Sequence, residues 1–326
     1  MSSSSAEHGT SSPSLRGRAS STQLVLGLIQ TLRPKQWVKN LFVLAPLFFS
    51  KQFLVPSQLA LGLLAALVFS LTSGTIYVFN DICDLDKDRL HPVKRHRPIP
   101  SGQLPLKAAW GSVVALGGVT QALAWLIDWR LGAVTTTYTI MNLAYSTVLK
   151  HVPFVDVTII ATGFVLRVLA GAFAIDVFIS EWLVICTFLL ALYLGFGKRL
   201  HELTLMVEGR ASKTRRVLKR YRLEHLDFVV LFVAGLTIAA YTVYTMTVAL
   251  PNQPLRSQHT PFTSPYLPVT IPFAVMGITR FYQLLKKEDE LDSPTELILK
   301  DWPFIVNLLA WGVLTMGVAL AFPGPG

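Results

Sequence analysis

Several apolar runs of 18 residues or more divide this chain, among them "LALGLLAALVFSLTSGTIYVF", which ends just before Asn80. A run of that length crosses the hydrocarbon core of a bilayer as a single helix. Composition agrees: 52% of the 326 residues are hydrophobic, only 15% are charged, and the mean hydropathy is +0.50. A soluble domain carries about a quarter charged residues. The chain is therefore expected to be an all-α integral membrane protein with about nine transmembrane helices. The expected spans cover 36–50, 55–79, 107–127, 131–149, 153–175, 181–198, 228–249, 264–285 and 302–322. The first is short for a span, and "LIQTLRPKQW" extends it on the N-terminal side as an interfacial or tilted turn.

The loops orient these spans. With the N-terminus inside, the outer loops hold only Lys51, Arg130 and Arg256, Arg167 lies within a span, and every other one of the 29 Lys and Arg falls on the inner side. That asymmetry predicts N-terminus in and C-terminus out, as in a multi-pass protein of a bacterial-type inner (plasma) membrane. It also accounts for the net charge of +10 without any nucleic acid. Residues 1–22, Ser-rich and without the apolar core of a signal peptide, read as a disordered cytoplasmic tail, leaving 23–326 as a single transmembrane domain. Cys83 and Cys186 fall in different predicted helices and make no CxxC, so they are expected as buried small hydrophobes rather than a disulfide or zinc site.

The segment "NDICDLDKDRLHPVKRHRPIPSG", Asn80 to Gly102, sits at the inner end of the second span. Asp81, Asp84 and Asp88 are separated by steps of three and four, which keeps them on one helical face, while Asp86 points elsewhere. At about 6 Å and an effective dielectric of about 20, each neighbouring pair of carboxylates costs roughly 3 kcal/mol before screening. A cation must offset this. A divalent metal would do so and would complete its shell with phosphate oxygens. A calcium loop does not fit, because Arg89 stands where the turn glycine belongs and Arg95 where the bidentate Glu belongs. The plain alternative is a solvated, charge-rich helix end.

Polar residues from other spans reach the same side: Asn142, Tyr145 and Lys150 at the end of the fourth, Asp156 near the start of the fifth, and Lys198, Arg199 and Glu202 at the end of the sixth. Each has an ordinary reading as an interfacial or positive-inside residue. Arg167 lies about three helical turns deeper than Asp156. An arginine at that depth needs an internal partner, a carbonyl clamp or a substrate.

The pattern N-D-x-x-D-x-x-x-D in "NDICDLDKD" resembles the first aspartate-rich motif of UbiA-type intramembrane prenyltransferases. The blocks "RPKQWVKNLFVLAPLFF", "NLAYSTVLKH", "GFVLRVLAGAFA", "GKRLHEL" and "DSPTELILKDWP" are similar to the decaprenyl-phosphate phosphoribosyltransferase branch, and together they span about residues 33–303. The resemblance implies a UbiA-type helical bundle with a cytoplasm-facing active-site cavity and a requirement for Mg²⁺. It implies transfer of a 5-phosphoribosyl group from 5-phosphoribosyl 1-diphosphate to a polyprenyl phosphate, for lipid-linked arabinose and cell-envelope synthesis.

It further implies that Asp81, Asp84 and Asp88 hold the metal, with Asn80 orienting them. Lys150 and Tyr145 would meet phosphate oxygens, and Lys94, Arg95 and Arg97 the ribose 5-phosphate. Lys35, Lys39 and Arg199 are candidates for the lipid phosphate, with Arg167 and Lys198 further substrate-binding candidates. Asn142 stands near where aromatic prenyltransferases have an aspartate, which leaves the number of metal ions open, Asp156 being a candidate for a second metal or for the ribose hydroxyls.

Two rival functions follow from the same residues. One is transfer of a polyprenyl group to an aromatic acceptor, which would call for a fuller second acidic motif. The other is a transporter using Asp156 and Arg167, which would show inverted halves, and no clear internal repeat is visible. The sequence leaves lipid length and any homo-oligomer open.

Overall fold

The computed structural model describes residues 21–209, 218, 220–249, 264–286, 298 and 300–322. Residues 1–20, 250–263, 323–326 and parts of 199–227 and 286–301 lie outside the described residues, and with them most of the expected N-terminal tail and the expected outer loop 250–263. Everything regular among the described residues is helical: α1 (Ser21–Leu32), a 3-10 segment Pro34–Leu44 running into α2 (Ala45–Phe49), α3 (Pro56–Cys83), α4 (Leu85–Arg89), α5 (Leu106–Ile127), α6 (Trp129–Thr147), α7 (Val155–Ala174), α8 (Glu181–Val207), α9 (Leu223–Ala249), α10 (Ile271–Leu285) and α11 (Trp302–Ala321).

Six of these, α3, α5, α7, α8, α9 and α11, are long and apolar enough to cross a membrane. The other three expected spans are helical but differ from a plain span for visible reasons. Residues 36–50 divide between the 3-10 segment and the five-residue α2. In α6, Thr135, Thr136, Thr137, Thr139 and Asn142 lower the hydropathy. α10 has only 15 residues.

The helix ends follow local chemistry. Asp128 caps α6 by accepting from the N–H groups of Arg130 and Leu131, and Asp301 caps α11 by accepting from Phe304. Pro56 opens α3, where its missing N–H costs nothing. α3 has 28 residues, so it is about 42 Å long against a hydrocarbon core of about 30 Å. It is thus longer than the apolar layer is thick, and its polar residues Asn80 and Asp81 stand at its C-terminal end.

Burial separates a central layer from a lipid-facing rim. In α3 and α7, 56% of the most apolar window is buried, against 11% in α5 and 17% in α11. α7 joins two apolar clusters. Its Val157 packs with Tyr193, Phe196, Leu226 and Phe281 on α8–α10. Its Leu166 and Ala170 pack with Val43, Phe69, Leu131 and Tyr138. The 3-10 segment crosses α7 at Gly171 backbone to backbone, so close that a Cβ there would overlap the Val43 carbonyl oxygen. Small residues allow such approaches between membrane helices. Cys83 and Cys186 are both free, but Cys83 is exposed, because at the end of α3 it lies on the face opposite the buried Asp81.

Candidate active site

The acidic segment is built by a break in the helix. Asp84, at φ −96° and ψ 8°, ends α3 and begins the one-turn α4, while the hydrogen bonds Asp84 N–H to Asn80 O and Asp88 N–H to Asp84 O keep the helical course. Asp81 and Asp88 are both 3% exposed, whereas the Asp86 side chain is turned out to solvent beside Arg89. The loop that follows folds back on itself. Leu104 N–H donates to the Pro98 carbonyl, Gly102 takes φ 84°, and Ile99 and Leu104 bury against Leu32, Val78 and Ala109.

That anchorage presents Arg97 to the carboxylates: its Nη1 is 2.7 Å from Asp88 Oδ2 and 3.1 Å from Asp81 Oδ1. Lys94 lies 3.8 Å from Asp88. Asp84 turns the other way, to Lys150 Nζ at 3.0 Å, with Lys87 at 3.7 Å. The cation that the crowded carboxylates require is thus supplied by the chain.

Two residues not singled out from the sequence complete this region. Arg33, in the left-handed region at φ 53° just before Pro34, lays its guanidinium over the Tyr77 ring and pairs with Asp81. Tyr221, from the connection between α8 and α9, accepts the backbone N–H of Phe154 at 2.6 Å and donates to Asp156 Oδ1 at 3.2 Å. Burial pushes the Tyr221 phenol up to about 12, so its proton stays on to make the second bond. The one available signal for Arg33 was its place at the head of the "RPKQW" block. Tyr221 lies in a strongly basic stretch, where nothing local marks one aromatic residue as a contact of Asp156.

The remaining candidates fall into three groups. Asp156, fully buried, accepts at Oδ2 from Arg199 Nε at 2.7 Å, and Arg199 also donates to Glu202 at 2.7 Å. With Arg199 only 2% exposed, this is a closed internal network, and a free face for a lipid phosphate or a second metal is not part of it.

Arg167 is held by the Asn40 side chain, the Gly163 carbonyl and the Tyr138 hydroxyl, at 2.8, 2.8 and 2.9 Å, and its guanidinium lies over the rings of Phe69, Tyr138 and Phe164. The carbonyl clamp expected of a deep arginine is present, with no carboxylate in it. Lys39, half-buried, stands within electrostatic reach of Lys198, Arg167 and Arg33, a concentration of positive charge.

Others are less engaged. Tyr145 is close enough to Arg199 for its charge to be felt, and Asn142 donates to the Tyr138 carbonyl of its own helix. Asn80, half-buried, offers its carbonyl to Asp84 N–H, Arg95 turns to His96, and Lys35 is exposed.

Among the described residues no three Asp, Glu, His or Cys side chains converge as metal ligands, because Asp81 and Asp88 meet at Arg97 while Asp84 meets Lys150. The donor set nevertheless suits a hard divalent cation. It is all carboxylate, it lies within two helical turns, and two of its members already share one nitrogen.

Between α2, α8, α9, α10 and α11 lies a cavity of about 550 Å³ with nearly all-apolar walls, including Phe49, Leu190, Tyr241, Phe273 and Trp311. None of the three aspartates lines it.

Six helices fit to cross a membrane, with an acid–base cluster at the end of one of them, define a multi-span membrane protein with a candidate active site. The model of the UbiA prenyltransferase family matches residues 40–296. The chain is 32% identical to a decaprenyl-phosphate phosphoribosyltransferase of Mycolicibacterium smegmatis over 92% of this chain and 94% of the relative. It is also 32% identical to one of Corynebacterium glutamicum, over 93% and 90%. A solved UbiA homologue from Archaeoglobus fulgidus, bound to DMAPP and Mg²⁺, shares the fold at a TM-score of 0.63 with 18% identity, over 90% of this chain and 99% of that one. The chain belongs to the UbiA prenyltransferase family, and with these relatives the transferase reading stands in place of transport.

Proposed function

We propose that the protein transfers a 5-phosphoribosyl group from 5-phosphoribosyl 1-diphosphate to a polyprenyl phosphate, releasing diphosphate. The observation that carries the choice of substrates is the similarity to decaprenyl-phosphate phosphoribosyltransferases along more than nine-tenths of this chain. The bond between the anomeric carbon and the diphosphate oxygen breaks, and its electron pair leaves with diphosphate. A phosphate oxygen of the lipid forms the new bond from the opposite face, inverting an α donor to a β product. That oxygen is already anionic, so no strong general base is needed. What remains is alignment and stabilisation of the departing charge.

Asp81, Asp84 and Asp88 would hold Mg²⁺, which supplies positive charge to the leaving diphosphate. Lys150 and Tyr145 meet phosphate oxygens beside Asp84. Arg97 and Lys94, now paired with the aspartates, turn to the ribose 5-phosphate. Arginine suits a phosphate as a planar fork and lysine as a point charge. Lys39, with Arg33 and Lys198 near it, favours an anion, and the lipid phosphate is the one assigned there. The apolar cavity takes part of the isoprenoid tail. Counted with α6, α10 and the 34–49 segment, the bundle has nine spans with the aspartates on the cytoplasmic side, a reading supported by the bias of Lys and Arg among the loops. Residues 23–326 form one catalytic domain.

The test uses purified protein in detergent with radiolabelled 5-phosphoribosyl 1-diphosphate, decaprenyl phosphate and Mg²⁺. Label is expected in the organic phase and is lost with EDTA. Transfer from a polyprenyl diphosphate to an aromatic acid in a parallel tube, with no labelled lipid in the first, would overturn the assignment of substrates.

A further inference from the structure

The turn between α6 and α7 has an unusual backbone. Phe154 sits at φ 64° and ψ −42°, and Val155 N–H donates to the Pro153 carbonyl at 2.8 Å. This is a three-residue γ-turn of the rare, strained sense, a conformation that persists only where its surroundings hold it. A bulky residue at such a position is a cost with no local return.

The surroundings that hold it come from far along the chain. The strained residue's own N–H is received by the Tyr221 hydroxyl, whose proton goes to Asp156, and Asp156 is fixed by Arg199. The Tyr221 ring lies 5.2 Å from that of Phe154, which is 5.8 Å from Phe196. Tyr221 is itself set in the apolar cluster with Leu218 and Leu226. On the other side, the short 3-10 turn Leu149–His151 immediately precedes the γ-turn and carries Lys150, whose Nζ reaches both Asp84 oxygens at 3.0 and 3.2 Å. One rigid path therefore runs from the α8–α9 connection to the acidic cluster.

We infer that Tyr221 is a positioning residue: its hydroxyl pins the strained Pro153–Val155 turn and thereby sets Lys150 against Asp84. This rests on the phosphoribosyl-transfer reading for its effect on rate, but the placement of Lys150 can be read without any turnover.

Tyr221→Phe removes both hydrogen bonds and keeps the ring. It is expected to lower kcat about tenfold, the worth of one ordinary hydrogen bond, with KM for either substrate within about twofold. In the Lys150→Ala background the same change adds no further loss, because both act through one group. The second readout is acetylation of Lys150 in the whole protein, followed by mass spectrometry. Lys150 is expected to react several-fold faster in Tyr221→Phe, while Lys87, exposed beside the same Asp84, reacts as before.

Unchanged Lys150 labelling in Tyr221→Phe would overturn the inference. So would a loss of kcat that multiplies with that of Lys150→Ala, since it would show a role in general stability alone. Faster labelling in a protein that transfers no phosphoribose would keep the positioning of Lys150 and reject the proposed function instead.

Discussion

Two acid–base clusters share the same end of the bundle and differ in how open they are. Asp156 and Arg199, 0% and 2% exposed at their side chains, are closed on each other and on Glu202 and Tyr221. Asp81 and Asp88 are as deeply placed, but their partners Arg33 and Arg97 have side chains 30% and 32% exposed and arrive from loops outside the helices. A carboxylate whose counter-ion is buried has no other partner to take. A carboxylate whose counter-ion stands half in water can exchange it. Under the proposed function the first arrangement is scaffold and the second binds, although the residue types are the same.

The contrast is tested first at Asp88. Asp88→Asn is expected to cut phosphoribosyl transfer at least about a hundredfold in the labelled-lipid assay, while membrane insertion and melting temperature stay near those of the parent. Next is Arg199→Met, which leaves Asp156 buried without its cation. Thermal or denaturant unfolding in detergent should show a loss of roughly 3–5 kcal/mol, and adding Asp156→Asn should recover part of it. If Arg199→Met kept full stability and lost only affinity for the lipid, the two clusters would have exchanged roles. The smallest effect belongs to Asp86→Asn. Its side chain is 97% exposed and its contact with Arg89 is 3.9 Å, so activity should stay within about twofold.

The parts of this molecule that a sequence displays are those governed by neighbours along the chain. Apolar runs mark α3, α5 and α7–α9 because lipid selects for length and hydropathy alone. Asp81, Asp84 and Asp88 could be grouped because their spacing follows the helix, and the exposed Asp86 drops out for the same reason. What escaped depends on contacts between distant segments or on unusual backbone.

One partner of Asp81 is Arg33, 48 positions earlier and in a left-handed conformation before a proline. One partner of Asp156 is Tyr221, 65 positions later. Arg199 looked like a surface anchor because nothing near it in sequence says that it folds inward onto Asp156. α1 begins at Ser21, inside the stretch 1–22 expected as a disordered tail, and covers part of the expected interfacial or tilted turn. It is held by Gly27, Thr31 and Leu32, the few residues it buries, and its exposed Val25, Leu26 and Ile29 suit the edge of a membrane.

Arg97 has one further consequence, for the life of the protein before it meets a substrate. A newly made chain must place three carboxylates at the mouth of a bilayer, where an uncompensated negative charge would oppose docking of the loop onto α1 and α3. With one guanidinium nitrogen already bridging Asp81 and Asp88, the nascent polypeptide carries its own counter-charge. Two of the three negative charges are thus offset from within the folded chain, so the loop that carries Arg97 brings its own electrostatic partner to the place where it docks.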